Sequence, residues 1–262
     1  MRSQPPFLNV KQVSLVSVFA AVSVVTIIFL PGIPMIGLPG ARITLDASIA
    51  PVCGLIIGPY LGALAALIGG LIVAGYRGWP IFSILTSFSP AVSAFVAGML
   101  SIKSVRVAGH NLCGWGFSAL TVTALIGAWY LTWIGKQAPF YPLIHWAGLI
   151  VILTFRGRIS TFFETGDKRR LSLAIFLASY CGLISDHMLG NLTFILGLGS
   201  FIPLEAVSSI LTSMSLPSVP ALFIFMLPIS AAERLAMALI ATAFGTSAVT
   251  LLRKSHLMPN AS

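Results

Sequence analysis

The feature that most constrains this chain is a series of long apolar runs almost free of charge. They cover residues 13–30, 47–76, 81–102, 114–134, 143–155, 171–198 and 217–252. A hydrocarbon core about 30 Å thick is crossed by roughly 20 helical residues. Within it, every backbone N–H and C=O must be paired inside the segment, which commits such runs to helix. The 262 residues hold only 15 Lys and Arg and 6 Asp and Glu, or 8% charged, where soluble domains average about 25%. Mean hydropathy is +1.00. These values exclude a disordered chain, a nucleic-acid-binding domain and an ordinary cytosolic enzyme. The net charge of +9 is spread over many segments, forms no patch and implies no nucleic-acid partner. The expected fold is all-α: a polytopic transmembrane helical bundle of about six to eight crossings, one integral domain over 1–262, surrounded by lipid.

Punctuation and charge refine this. Arg2 and Lys11 precede the first run, but Pro31-Gly32-Ile33-Pro34 follows it instead of a small-residue cleavage pattern. An uncleaved first helix over 13–30 is therefore expected. Residues 47–76 exceed one span and contain Gly58-Pro59, where proline removes a backbone donor and turns its predecessor away from helix. Two short helices with a turn at Gly58-Pro59 put Arg2, Lys11, Lys103, Arg106, Arg156, Arg158, Lys168, Arg169, Arg170, Arg253 and Lys254 on one side. Arg42, Arg77, Lys136 and Arg234 fall on the other. A single crossing there reverses every later loop and breaks the positive-inside rule. The favoured arrangement has both termini cytoplasmic, further helices over 81–102, 114–134, 143–155 and 171–198, and a cytoplasmic loop over 156–170. Pro217, Pro220 and Pro228 move the start of the last helix to 229, giving 229–252. Cys53, Cys113 and Cys181 lack metal-like spacing and read as buried small residues.

Ionisable groups inside a span are costly and mark function by default. Ser185-Asp186-His187-Met188-Leu189-Gly190-Asn191 lies inside the run 171–198. His187 and Asn191 share a helical face one turn apart, beside a stripe of Ala178, Gly182, Asp186 and Gly190. Asp186 is 16 residues past Arg170, roughly 24 Å along a helix. Glu233 and Arg234 precede Arg253 by 20 and 19 residues, roughly 30 Å. All three thus fall toward the outer side. Neighbours on a helix diverge by about 100°, so Glu233 and Arg234 are not expected to pair with each other, and Asp186 with Arg234 is the candidate structural ion pair. Arg42 and Asp46 flank the first outer loop, and His145 starts a span on that side. Asp186, His187, Asn191, Glu233, Arg234, Arg42, Asp46 and His145 are the candidate substrate-binding residues of a pocket open to the outside. The alternative is polar glue between helices. The tryptophans, mostly near span ends, read as an interfacial belt.

On the first helix Ser14, Ser17 and Ala21 share a face, with Ala20 beside it. Small residues at this spacing let another helix approach closely. The chain has no phosphate-binding P-loop, no His-Glu-x-x-His and no Gly-x-Ser-x-Gly. No catalytic residue, metal ligand or cofactor is expected. An ion- or proton-coupled secondary transporter using Asp186 and His187 is the rival reading.

The stretch Arg42-Ile43-Thr44-Leu45-Asp46 to Pro51, followed by Cys53-Gly54-Leu55-Ile56-Ile57-Gly58-Pro59-Tyr60-Leu61-Gly62-Ala63 and on to Gly69-Gly70, resembles the S components of energy-coupling factor (ECF) transporters. The face at Ser17 and Ala21 resembles a variant of the Ala-x-x-x-Ala motif on their first helix, with serine in place of the first alanine. The resemblance covers roughly residues 10–100 and is loose beyond. It implies a membrane-embedded subunit of the cell membrane that binds a vitamin-like molecule at its outer face. It further implies docking through Ser17, Ala20 and Ala21 on a transmembrane coupling subunit that works with cytosolic ATPase subunits. The Met-His start of cobalt and nickel members is absent, since the chain begins Met-Arg-Ser, which points away from a metal substrate.

Overall fold

The apolar runs become helices almost end to end, and the breaks between them fall at proline, glycine and capping residues. A computed structural model describes residues 10–29, 33–34, 42–43, 45–255 and 258. Helix α1 spans Val10–Phe29. Two short strands follow, β1 (Ile33–Pro34) and β2 (Arg42–Ile43), paired antiparallel. A 3-10 turn, Leu45–Ser48, leads into α2 (Ile49–Ile57) and α3 (Pro59–Tyr76). The break between α2 and α3 is Gly58 at φ 88°, a left-handed conformation that a side chain resists, and Pro59 opens α3 where its missing N–H costs nothing.

The run 81–102 forms α4 (Ile81–Thr86) and α5 (Phe88–Ser101), separated by Ser87. An exposed hairpin of β3 (Ser104–Val107) and β4 (His110–Cys113) follows. Cys113 is therefore exposed, not buried as its apolar neighbours suggested, because it ends a hairpin outside the bundle. Helix α6 (Gly114–Leu131) stops at Thr132, whose side chain accepts from the Gly135 N–H and caps α7 (Trp133–Gln137). Helix α8 (Leu143–Phe155) bends by 73° into α9 (Arg158–Glu164), so the segment 156–170 contains a helix of its own. Helix α10 (Lys168–Gly197) is capped by Asp167. Helix α11 (Leu204–Ser213) precedes α12 (Val219–Lys254). The last helix begins ten residues before the position read from its prolines. Pro220 sits in its first turn and Pro228 lies inside it, which a membrane helix tolerates.

Among the described residues six spans are long and apolar enough to cross a membrane: α1, α3, α4 with α5, α6, α10 and α12. The bent pair α8–α9 makes a seventh if taken as one span. The chain is a multi-pass helical membrane protein. The nine residues of α2 reach only about 14 Å, yet with the preceding turn they carry the chain into the bundle as far as Pro59, where α3 turns back.

Helix α10 is central, packed against α5, α12, α8 and α6. Its Ile175, Ala178, Cys181 and Ile184 share one core with Val96, Ala97 and Leu100 of α5 and Val52, Leu55 and Ile56 of α2. The small-residue stripe on α10 faces α5: a Cβ on Gly182 would lie 2.6 Å from the carbonyl oxygen of Ser93, so glycine sets how closely these two helices approach. At one end of the bundle Lys103 pairs with Glu164 at 2.5 Å, and Arg253 donates to the carbonyls of Phe163 and Thr165. The ends of α5, α9 and α12 therefore meet at that face.

Candidate functional site

At the opposite end, α1, α2, α3, α4, α5, α10 and α12 surround a cavity of about 450 Å³. The distance follows from helix rise: Arg234 is 19 residues from Arg253 along α12, about 28 Å. Five of the eight residues read from the sequence line this cavity: Asp186, His187 and Asn191 of α10, and Glu233 and Arg234 of α12. Helix α10 supplies three because positions 186, 187 and 190–191 fall on adjacent faces one turn apart. Gly190 keeps the wall low between them.

Arg234 and Glu233 are each about nine-tenths buried, and Arg234 Nη2 lies 3.2 Å from Glu233 Oε1. This corrects the expectation that these neighbours cannot pair. Their Cα–Cβ bonds do diverge, but both side chains are long enough to fold toward each other at the cavity wall. Arg234 Nη1 also points at the Met237 sulfur, 3.5 Å away.

His187 is held from behind. Its Nε2 lies 3.2 Å from the Tyr141 hydroxyl, and Asn191 Nδ2 donates to that same hydroxyl at 2.9 Å. Tyr141 stacks on Trp129 with centroids 4.6 Å apart and meets Phe223 edge-on. Burial pushes the Tyr141 phenol above its ordinary range, so it stays protonated. His145 does not line the cavity. It is fully buried one layer back, its ring parallel to that of His187 at 5.5 Å. The backbones of Arg42 and Asp46 lie in β2 and the following turn, next to the lining residue Ala47, and their side chains fall outside the described residues.

Sequence reasoning missed the hydroxyl side of the cavity. Ser83 and Thr86 of α4, Ser87, and Ser89 of α5 line it, with Arg77 beyond the end of α3. It also missed Tyr141, the residue that ties His187 to Asn191. Trp129 is a fully buried partner of Tyr141, not an interfacial residue. The wall therefore offers two cations, two carboxylates, an imidazole, an amide and several hydroxyls around a space that fits a small polar molecule.

Fold and site together define a multi-pass membrane protein with a polar cavity at one end of its bundle. Two known proteins are similar to parts of the chain. Over 152 residues, 58% of the chain, it is 27% identical to an uncharacterised protein of Methanocaldococcus jannaschii, of which the matched part spans 48%. Over 164 residues, 55% of the chain, it is 29% identical to the biotin transporter BioY of Rhodobacter capsulatus, of which it covers 83%. The chain thus spans about half the length of the first of these relatives and most of the second. No protein-family model matches the chain, and no solved structure does.

Proposed function

We propose that the chain is the substrate-capture subunit of an ATP-driven importer of the energy-coupling factor type, and that it binds a vitamin-like small molecule from outside the cell. The observation that carries this reading is the convergence of Asp186, His187, Asn191, Glu233 and Arg234 on one cavity, at the end of the bundle away from the basic face. The likeness to a biotin transporter supports a vitamin-like cargo and makes biotin the first ligand to try. The positive-inside rule puts the basic face and both termini in the cytoplasm and opens the cavity outward.

On this reading α1 docks on a separate transmembrane coupling subunit whose cytosolic ATPases supply the energy. Ser17 and Ala21 are exposed along α1 and available for such contact. Ala20 is buried against the chain's own α3, near Gly69, so its role is to seat α1 and not to meet the partner.

The test has two arms. Mass spectrometry of the purified membrane protein should find a co-purified small molecule at near-stoichiometric amount. Uptake of that molecule by cells carrying the full transporter should survive collapse of the proton gradient and stop on ATP depletion. Uptake that follows the proton gradient instead would replace this reading with a secondary transporter built on Asp186 and His187.

A further inference from the structure

Three polar atoms in the cavity wall are buried with no hydrogen-bond partner among the described residues: Ser89 Oγ, His187 Nδ1 and Arg234 Nε. They come from three different helices, α5, α10 and α12. Buried polar atoms are ordinarily paired, because leaving one unpaired forfeits its hydration without return. Of the eight such side-chain atoms among the described residues, these three line the cavity, where an entering molecule can reach them.

All three can act as donors. Arg234 Nε–H can only donate, and the Ser89 hydroxyl can turn to do so. His187 is decided by its neighbours. Asn191 donates to the Tyr141 oxygen, which leaves the phenol proton free to be given to His187 Nε2. An imidazole that accepts at Nε2 carries its proton on Nδ1 and donates there. Arg234 brings a positive charge whose Nη2 is taken by Glu233 and whose Nη1 faces Met237, which leaves the Nε edge open. Asp186 and Glu233 line the same cavity and disfavour a second negative charge on the ligand. Space is kept in front of Ser89 by Gly190: a Cβ there would lie 3.8 Å from Ser89 Oγ and meet no other neighbour within 4 Å.

We propose that Ser89, His187 and Arg234 form a carboxylate-binding subsite, that Tyr141 and Asn191 are positioning residues holding His187 in its donor tautomer, and that the captured molecule is a monocarboxylic acid. This rests on the capture reading above and adds the chemical class of the cargo. Gly190 is part of the same device, since any side chain there fills the space the carboxylate would occupy.

The experiment uses the full chain in lipid nanodiscs and three acids with their primary amides: biotin, nicotinate and pantothenate. Equilibrium binding should find at least one acid that binds, with its amide weaker by roughly ten- to a hundredfold, the range for a charge-assisted hydrogen-bond set. Gly190→Ala, which meets no clash, should lose the acid while melting as the wild type does. Arg234→Gln should lose it too. Tyr141→Phe should weaken the acid and shift the ¹⁵N signals of His187, assigned by their absence in His187→Gln, away from a single protonated Nδ1. Equal binding of acid and amide overturns the carboxylate assignment. Wild-type affinity in Gly190→Ala overturns its location, and unchanged ¹⁵N signals in Tyr141→Phe overturn the positioning role. Binding of none of the acids, or a co-purified molecule without a carboxyl group, overturns the proposal as a whole. The capture reading would then still be judged by its own uptake and co-purification results.

Discussion

The two ends of this bundle use the same residue types in opposite ways. At the basic end the Lys103–Glu164 pair is 61% and 51% exposed, and Arg170 meets Asp167 in similar surroundings. These charges stay in water or among headgroups, and their mutual attraction is screened. At the cavity end Arg234 and Glu233 are 11% and 12% exposed. Charges there have lost most of their hydration, and an ion pair rarely recovers that cost by itself. The difference teaches where to look for function. On the proposed reading, exposed charges orient the chain across the bilayer, while buried ones serve the site.

The largest expected effect comes from splitting the buried pair. Glu233→Ala leaves the Arg234 guanidinium nine-tenths buried beside a missing carboxylate. A loss of about 3–5 kcal/mol is expected, read as a large fall in the unfolding midpoint in nanodiscs. Glu233→Gln, which keeps a hydrogen-bond acceptor, should recover part of it. A melting curve like that of the wild type in Glu233→Ala would mean that water reaches Arg234, and the contrast between the two ends would fail.

Next come two cavity residues of α10 that the proposed function assigns to capture. Asp186→Ala and Asn191→Ala should each weaken capture at least tenfold, since hydrogen bonds to charged groups contribute about 1.5–3 kcal/mol. Both variants should remain in the membrane and fold. Wild-type affinity for the co-purified ligand in both would take the site away from α10.

How much of this could be read from the chain depends on how far a residue stands out from its surroundings. Asp186, His187, Glu233 and Arg234 are conspicuous because an ionisable group in an apolar run needs a reason. Counting 1.5 Å per residue then places them at a common depth. The Gly58-Pro59 break was visible for the same reason, since both residues oppose helix. Ser83, Thr86, Ser87 and Ser89 were not visible. Hydroxyls are inexpensive in a span because they bond the carbonyl one turn back, as Thr86 does to Phe82 and Ser87 to Ser83. Nothing in their spacing separates cavity-lining serines from packed ones. Tyr141 was hidden by lying between helices, where no periodicity applies. The start of α12 was misplaced because three prolines looked like an irregular lead-in. Proline in a first turn fits a helix, and a neighbouring helix can satisfy the groups freed by Pro228.

The proposed docking face sharpens the comparison on a smaller scale. Ser17→Leu adds bulk to an exposed surface of α1 and should abolish pull-down of the coupling subunit while leaving ligand affinity within twofold. Ala20→Leu should act differently. It overpacks a buried contact beside Gly69, at a cost of about 1–3 kcal/mol, and should lower thermal stability in the isolated subunit. If the two variants behave alike, α1 does not divide into an inner and an outer face.

The smallest effect belongs to the basic end. Lys103→Gln removes one side of an exposed ion pair, and exposed pairs contribute about 0–1 kcal/mol. Stability and ligand affinity should both stay near wild type. Orientation should hold as well, because ten of the eleven basic residues assigned to that face would remain, and the rule acts on their excess and not on any one of them. A chain with Lys103, Arg106, Arg156 and Arg158 all changed to Gln is a different case. A reporter fused after Lys254 should then divide between the two sides of the membrane, while the Glu233–Arg234 pair, buried among α10 and α12, should leave the melting point of the correctly inserted fraction unchanged. If that fraction melts lower by more than the roughly 1 kcal/mol an exposed pair contributes, the basic end carries structural energy of its own and the division between orienting and functional charge has to be redrawn.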